Sequence, residues 1–74
     1  MTNVQREKYV FVKSELCALL RRCDGTIEDV EYTVLEDGTE IVKVIWNNGY
    51  YQCVDITCDS LMQIAKDVLR EVRV

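Results

Sequence analysis

Residues 40–56, EIVKVIWNNGYYQCVDI, constrain this chain more than any other stretch. Two runs of β-branched and aromatic residues flank Asn48-Gly49, a pair that tolerates the positive φ of a tight hairpin turn. Such runs fold back on each other as antiparallel strands. A two-residue loop at Asn48-Gly49 pairs Trp46 with Tyr51 and Val44 with Cys53. Val42, Val44, Trp46, Tyr51 and Cys53 then share one face, and Ile41, Lys43, Ile45, Gln52, Val54 and Ile56 share the other.

Upstream, residues 26–35 alternate. Val30, Tyr32 and Val34 point one way and Asp29, Glu31 and Thr33 the other, as in a half-buried strand. Its junction with the hairpin is Glu36-Asp37-Gly38. A two-residue Asp37-Gly38 loop would pair Val34 with Ile41. A three-residue loop with Gly38 in the left-handed region pairs Leu35 with Thr39 instead. The second register is preferred, because it gathers Val30, Tyr32, Val34, Val42, Val44, Trp46, Tyr51 and Cys53 on one face.

Before the strands, Tyr9, Val12, Leu16, Leu19 or Leu20, and Cys23 recur at helical steps. They predict a helix over residues 4–22, capped by Thr2 or Asn3 and stopped at Asp24-Gly25. The β-rich run Tyr9-Val10-Phe11-Val12 leaves a rival open: a strand at 8–13, then a helix at 15–22 capped by Ser14. After the strands, Thr57 is a candidate N-cap, with Asp59 near the helix dipole. Leu61, Ile64 or Ala65, Val68 and Val72 form a second apolar stripe. The expected fold is one α+β domain over residues 1–74, of order α-β-β-β-α. It is a three-stranded antiparallel meander with two helices packed on one face.

The chain has 74 residues, 49% apolar, enough for one helical layer on one sheet. Its net charge of −4 argues against nucleic-acid binding, where Lys and Arg must neutralise phosphates. The absence of histidine removes the commonest general base and metal ligand. Residues 1–8 are polar, no signal-peptide pattern follows, and no apolar run is long enough to span a bilayer. The expected location is the cytoplasm, where thiols stay reduced.

Cys17, Cys23, Cys53 and Cys58 have C-x5-C and C-x4-C spacing, unlike the close pairs of zinc sites. Buried or half-buried structural thiols are expected. Cys58 falls at the expected helix start, where a thiol can be activated, with no His or Lys neighbour in sequence to support catalysis. The carboxylates lie on turns and an edge strand, not in a positioned pair. No catalytic, cofactor-binding or metal-ligating residue is therefore expected, and the chain does not read as an enzyme.

Charge is segregated. Asp24, Glu28, Asp29, Glu31, Glu36, Asp37 and Glu40 fall in a stretch without Lys or Arg, whereas the first helix carries Arg6, Lys8, Lys13, Arg21 and Arg22. The acids Glu28, Asp29, Glu31, Glu36, Asp37 and Glu40 protect an edge and aid solubility, or present an acidic surface to a basic partner as nucleic-acid mimics do. Trp46, Tyr50, Tyr51 and Lys43 could form a stacking platform for single-stranded nucleic acid, but burial and the nearby acids oppose this. Residues 50–54 form a strand without charge, and unguarded edges and exposed apolar patches mark interfaces. Ile41, Lys43, Ile45, Tyr50, Gln52 and Val54 are the expected self-association surface of a homodimer.

The C-terminal half, VIWNNGYYQCVDIT followed by CDSLMQIAKDVLREV, resembles short uncharacterised proteins of phages and mobile elements. The shared pattern is an aromatic strand, an NG turn, a second strand ending V-x-[IV]-T, and a D-S-…-K-D-[VI]-[LI] helix. The resemblance implies a host-interaction or accessory role and assigns no functional residue. Some anti-CRISPR proteins are similar in being small and acidic, with three strands between helices. Likeness of that kind does not carry function.

Overall fold

The computed structural model describes residues 1–72. The N-terminal pattern forms one continuous helical rod, made of α1 (Asn3–Phe11), a π-helical segment (Val12–Leu16) and α2 (Cys17–Cys23). Thr2 caps it through a reciprocal box: Gln5 N–H donates to Thr2 Oγ1 at 3.1 Å and Thr2 N–H to Gln5 Oε1 at 3.0 Å. Asp24 ends it, accepting the N–H and hydroxyl of Thr26 at 2.9 and 2.6 Å.

Lys8, Val12, Leu16 and Leu20 are the buried residues of the rod, spaced four apart. In a regular helix that spacing drifts by roughly 40° per step. The wider π turn rotates more slowly and keeps the row aimed at the sheet. Within it, Ser14 Oγ donates to the Val10 carbonyl at 2.6 Å, so Ser14 closes the local backbone and caps nothing. The strand-then-helix rival at 8–13 is therefore overturned. Of the expected stripe, Val12, Leu16 and Leu20 are buried, and Tyr9 and Cys23 are exposed because the four-residue row displaces them.

The sheet holds β1 (Ile27–Val34), β2 (Glu40–Trp46) and β3 (Tyr51–Asp55), antiparallel and in the order β1-β2-β3. The first turn is the expected three-residue loop. Leu35 N–H donates to the Thr39 carbonyl at 2.8 Å, and Gly38 sits at φ +89°. Val30 faces Val44 and Tyr32 faces Val42 across the ladder.

The second turn departs from expectation. Trp46 N–H donates to the Tyr50 carbonyl at 2.8 Å, Gly49 N–H to the Trp46 carbonyl at 3.0 Å, and Gly49 sits at φ +90°. Both loops are three residues long and are closed the same way by the side chain before the glycine. Thr39 N–H donates to Asp37 Oδ1 and Tyr50 N–H to Asn48 Oδ1, each at 2.9 Å. The extra loop residue slides β3 by one position, pairing Ile45 with Tyr51, Lys43 with Cys53 and Val42 with Val54. A one-residue slip exchanges the faces of a strand. Tyr51 and Cys53, expected in the core, are exposed; Val54 and Ile56 are buried and Gln52 is half-buried.

The chain continues from β3 into α3 (Leu61–Val72). Its cap is Ser60, not Thr57: Ser60 Oγ accepts Gln63 N–H at 3.2 Å and its carbonyl accepts Ile64 N–H at 2.8 Å. Both helical elements lie on one face of the sheet. The core they enclose is Val12, Leu16 and Leu20 from the rod, Ile64 and Val68 from α3, and Ile27, Val30, Tyr32, Val42, Val44, Val54 and Ile56 from the sheet side.

Candidate interaction surface

With both helical elements on one side, the other face of the sheet has no covering layer among the described residues. The register sets out its rows: Asp29, Ile45 and Tyr51; Glu31, Lys43 and Cys53; Thr33, Ile41 and Asp55. Ile45, Tyr51, Cys53 and Ile41 are thus neighbours around a central lysine. Lys43 Nζ lies 4.3 Å from the centroid of the Tyr51 ring, a cation–π contact that flattens the lysine over the face.

Ile41, Lys43 and Ile45 therefore stand where an interface was expected, and Tyr50 is exposed beside them at the hairpin tip. Gln52 and Val54 do not. Gln52 points to the helical side, where Nε2 donates to the Glu71 carbonyl at 2.9 Å, and Val54 is only 5% exposed in the core. Tyr51 and Cys53 replace them. The signal for this was present in the chain, since Asn47-Asn48-Gly49 has the same form as Glu36-Asp37-Gly38 and invites the same loop.

The two edges of the sheet are built differently. On β1, a bulge interrupts the ladder between Ile27 and Asp29, and Val30 N–H donates to Asp29 Oδ1 at 2.8 Å. Lys13 reaches from the rod to that same carboxylate, at 3.0 and 3.2 Å. A bulge, charges and a consumed amide all obstruct strand addition. On β3, the bonds at Tyr50 and Ile56 fix the alternation: the even-numbered residues bond to β2, and Tyr51, Cys53 and Asp55 turn their N–H and C=O outward.

Of the expected acidic surface, Glu40 is absent. It is only 7% exposed, beneath Lys8, which is 6% exposed. Lys8 Nζ donates to both carboxylate oxygens, at 2.8 and 3.0 Å, Cys58 N–H donates to Oε1 at 3.0 Å, and the Tyr32 hydroxyl donates to Oε2. Glu40 N–H in turn donates to Thr57 Oγ1 at 2.9 Å. Burial opposes ionisation of Glu40, but the donors from Lys8, Tyr32 and Cys58 outweigh it and hold the carboxyl below its ordinary value. Burial, then the hydrogen bond to Glu40, pushes the Tyr32 phenol up. Cys58 sits at φ +65°, unusual for a side chain with a Cβ, and that backbone aims its N–H at the carboxylate. Every oxygen of Glu40 is occupied, so the group works as a clamp joining the rod, β1, β2 and the 56–60 loop. Lys8 was missed in the sequence because it reads as one more basic residue; its place four residues before Val12 was the available sign.

Asp29 is likewise half-neutralised by Lys13. The hydrogen bond from Lys13 is the main reason its carboxyl lies low, against some desolvation. Glu28, Glu31, Glu36 and Asp37 remain without an ion pair among the described residues. Two of the segregated bases, Lys8 and Lys13, thus act within the molecule, docking the rod on the acids Glu40 and Asp29 of the sheet.

Beside the clamp lies a carboxyl pair. Asp59 Oδ2 is buried with no donor among the described residues. Its neighbour Asp67 is held by Gln63 Nε2 and Arg70 Nη2, each at 2.8 Å. Burial first, and the Asp67 carboxylate second, raise Asp59 to about 6. A proton on Asp59 would give this oxygen a donor group toward the Asp67 carboxylate.

The cysteines are all free thiols. Cys17 is half-buried, whereas Cys23, Cys53 and Cys58 are exposed, contrary to the buried packing expected of them. Cys58 lies ahead of α3, not at its start. Among the described residues no cluster of three or more His, Cys, Asp or Glu is arranged to hold a metal, and no helix is long and apolar enough to cross a membrane. A cleft of about 560 Å³ runs between the rod and the start of α3, with Val10, Phe11 and Leu61 in its wall. No protein-family model matches the chain, nor does any curated protein or solved structure.

Proposed function

We propose that this protein is a non-enzymatic interaction module that self-associates through the β3 side of its sheet. The observation that carries this is the adjacency of Ile41, Ile45, Tyr51 and Cys53 on a face that neither helical element covers, beside a strand edge with outward-facing backbone groups. Contiguous apolar surface and open edges are costly in water unless another chain covers them. Two copies meeting about a two-fold axis is the commonest way to do so.

Light scattering after size exclusion tests this. At roughly 50 µM, where a micromolar dimer is largely assembled, the mass should be twice that of the chain. Tyr51→Glu, at a side chain already 55% exposed, should return it to the monomer while leaving the melting transition in place. A wild-type monomer at that concentration overturns the proposal.

A second reading is an acidic inhibitor that covers a nucleic-acid site on a basic host protein. It draws on the unpaired acids Glu28, Glu31, Glu36 and Asp37 and on the resemblance to phage and mobile-element proteins. Lysine at Glu28, Glu31 and Glu36 together should abolish capture of such a partner; unchanged capture from host lysate removes this reading.

A further inference from the structure

The geometry points to a specific assembly: β3 pairs antiparallel with β3 of a second copy, about a two-fold axis that passes between the two Cys53 residues, to give a continuous six-stranded sheet. This rests on the self-association proposed above and names the contact made by its strand edge; the Ile41–Ile45 face stays on the open side of the joined sheet.

The register leads there directly. Tyr51, Cys53 and Asp55 are the β3 residues whose N–H and C=O point away from β2. Antiparallel pairing centred on Cys53 sets Cys53 opposite its own copy and Tyr51 opposite Asp55, so all three residues of each chain exchange both bonds. Centring on Gln52 or Val54 leaves one outward-facing residue of each copy unpaired. Charge agrees. Asp55 is the single ionised side chain of the strand. The two-fold antiparallel arrangement separates the two copies of it by about four residues, roughly 14 Å, beyond the screening length of physiological salt. Parallel in-register pairing would stack them.

The occupant is a second copy, because the edges allow nothing longer. An edge that paired with β1 of the next molecule would propagate without end. Here β1 is closed by the bulge at Ile27/Asp29, by the Val30 amide bonded to Asp29, and by Lys13 across it. Only β3 with β3 remains, and that contact closes on itself. Beside the edge, on the helical side, a cleft of about 300 Å³ is walled by Asp67, Arg70 and Glu71 of α3. A wall carrying both signs can face its own copy without net repulsion.

Two measurements on the full chain test this. Cys53→Pro deletes one outward N–H and no bond to β2, and proline is tolerated at such edge positions. It should remain folded by its melting transition and run as a monomer, while Cys53→Val, which keeps the amide, stays dimeric. Independently of any variant that fails to fold, amide exchange of the wild-type protein reads the contact. The Tyr51, Cys53 and Asp55 amides should exchange slowly at high protein concentration and quickly on dilution. A dimer in which these amides exchange fast at every concentration, or a folded Cys53→Pro dimer, overturns the edge pairing but leaves self-association standing. A wild-type monomer removes both.

Discussion

Lys8 and Glu40 lie 32 residues apart in the chain and 2.8 Å apart in space, each nearly shut off from solvent. The ammonium joins both oxygens of the carboxylate, which also holds Tyr32 and the Cys58 amide. This pair binds the N-terminal rod to the second strand and to the loop that launches α3. Desolvating two charges is expensive, and it is tolerated here because each vacant lone pair of the carboxylate has a donor.

Breaking the clamp from one side should therefore cost more than removing it whole. Glu40→Leu strands the Lys8 ammonium and should lower stability by about 3–5 kcal/mol. Lys8→Met should cost less, since Glu40 keeps Tyr32 and Cys58. The double variant Lys8→Met/Glu40→Leu should be more stable than Glu40→Leu alone. Urea midpoints read all three, and a double variant no better than Glu40→Leu would contradict a pairwise clamp.

The carboxyl pair gives stability an unusual slope with pH. The folded state holds a proton on Asp59 up to about 6, whereas its ordinary value is 3.8. That contribution is complete below the ordinary value and is lost as pH rises through about 6. Glu40, Asp24, Asp29, Asp37 and Asp55 are shifted the other way, so their contribution is lost as pH falls through their low folded values. Stability should rise slightly from about pH 7 to about pH 5 and fall below about pH 4. Asp59→Asn should flatten the upper limb, a change on the order of 1 kcal/mol, and leave the acid limb. Melting temperatures across that range decide it; an upper limb unchanged in Asp59→Asn would be inconsistent with a proton held on Asp59.

The register of β3 makes opposite forecasts for adjacent residues. Val54→Lys buries an unpaired charge among Val42, Ile56 and their neighbours and should abolish the cooperative transition. Cys53→Lys points into solvent and should fold. Far-UV circular dichroism with thermal melting distinguishes them, and the reverse outcome would mean the two-residue turn.

Both hairpins depend on a glycine at positive φ. Gly38→Ala and Gly49→Ala meet no steric obstacle within 4 Å, so the cost is conformational alone. Each should lose about 1–2 kcal/mol. Chemical denaturation measures it, and a cost near zero at Gly49 would argue against the three-residue loop there.

Period and turn chemistry carried much of this architecture. The α-β-β-β-α order, the first hairpin's register, the Thr2 cap and the Asp24-Gly25 stop are local matters, decided by residues within a few positions of one another. The third strand was not, because both of its faces are apolar. Tyr51 and Cys53 compete with Val54 and Ile56, and alternation alone cannot say which pair turns inward. One additional loop residue, held by the Asn48 side chain and Gly49, settled it in favour of the β-branched pair that fits beneath α3. In the rod, Val12, Leu16 and Leu20 were legible as the apolar stripe, whereas Lys8 in the place expected of Tyr9 was not, since steps of four look like drift until a π turn straightens them. Charge was the least legible of all. Glu40 reads as one more surface acid and Lys8 as one more surface base, and only the docking of helix on sheet makes them partners. Local sequence determined the elements and their turns. Tertiary packing decided the faces and the ion pair, because burial is a property of what lies opposite, and no residue carries that in its own neighbourhood.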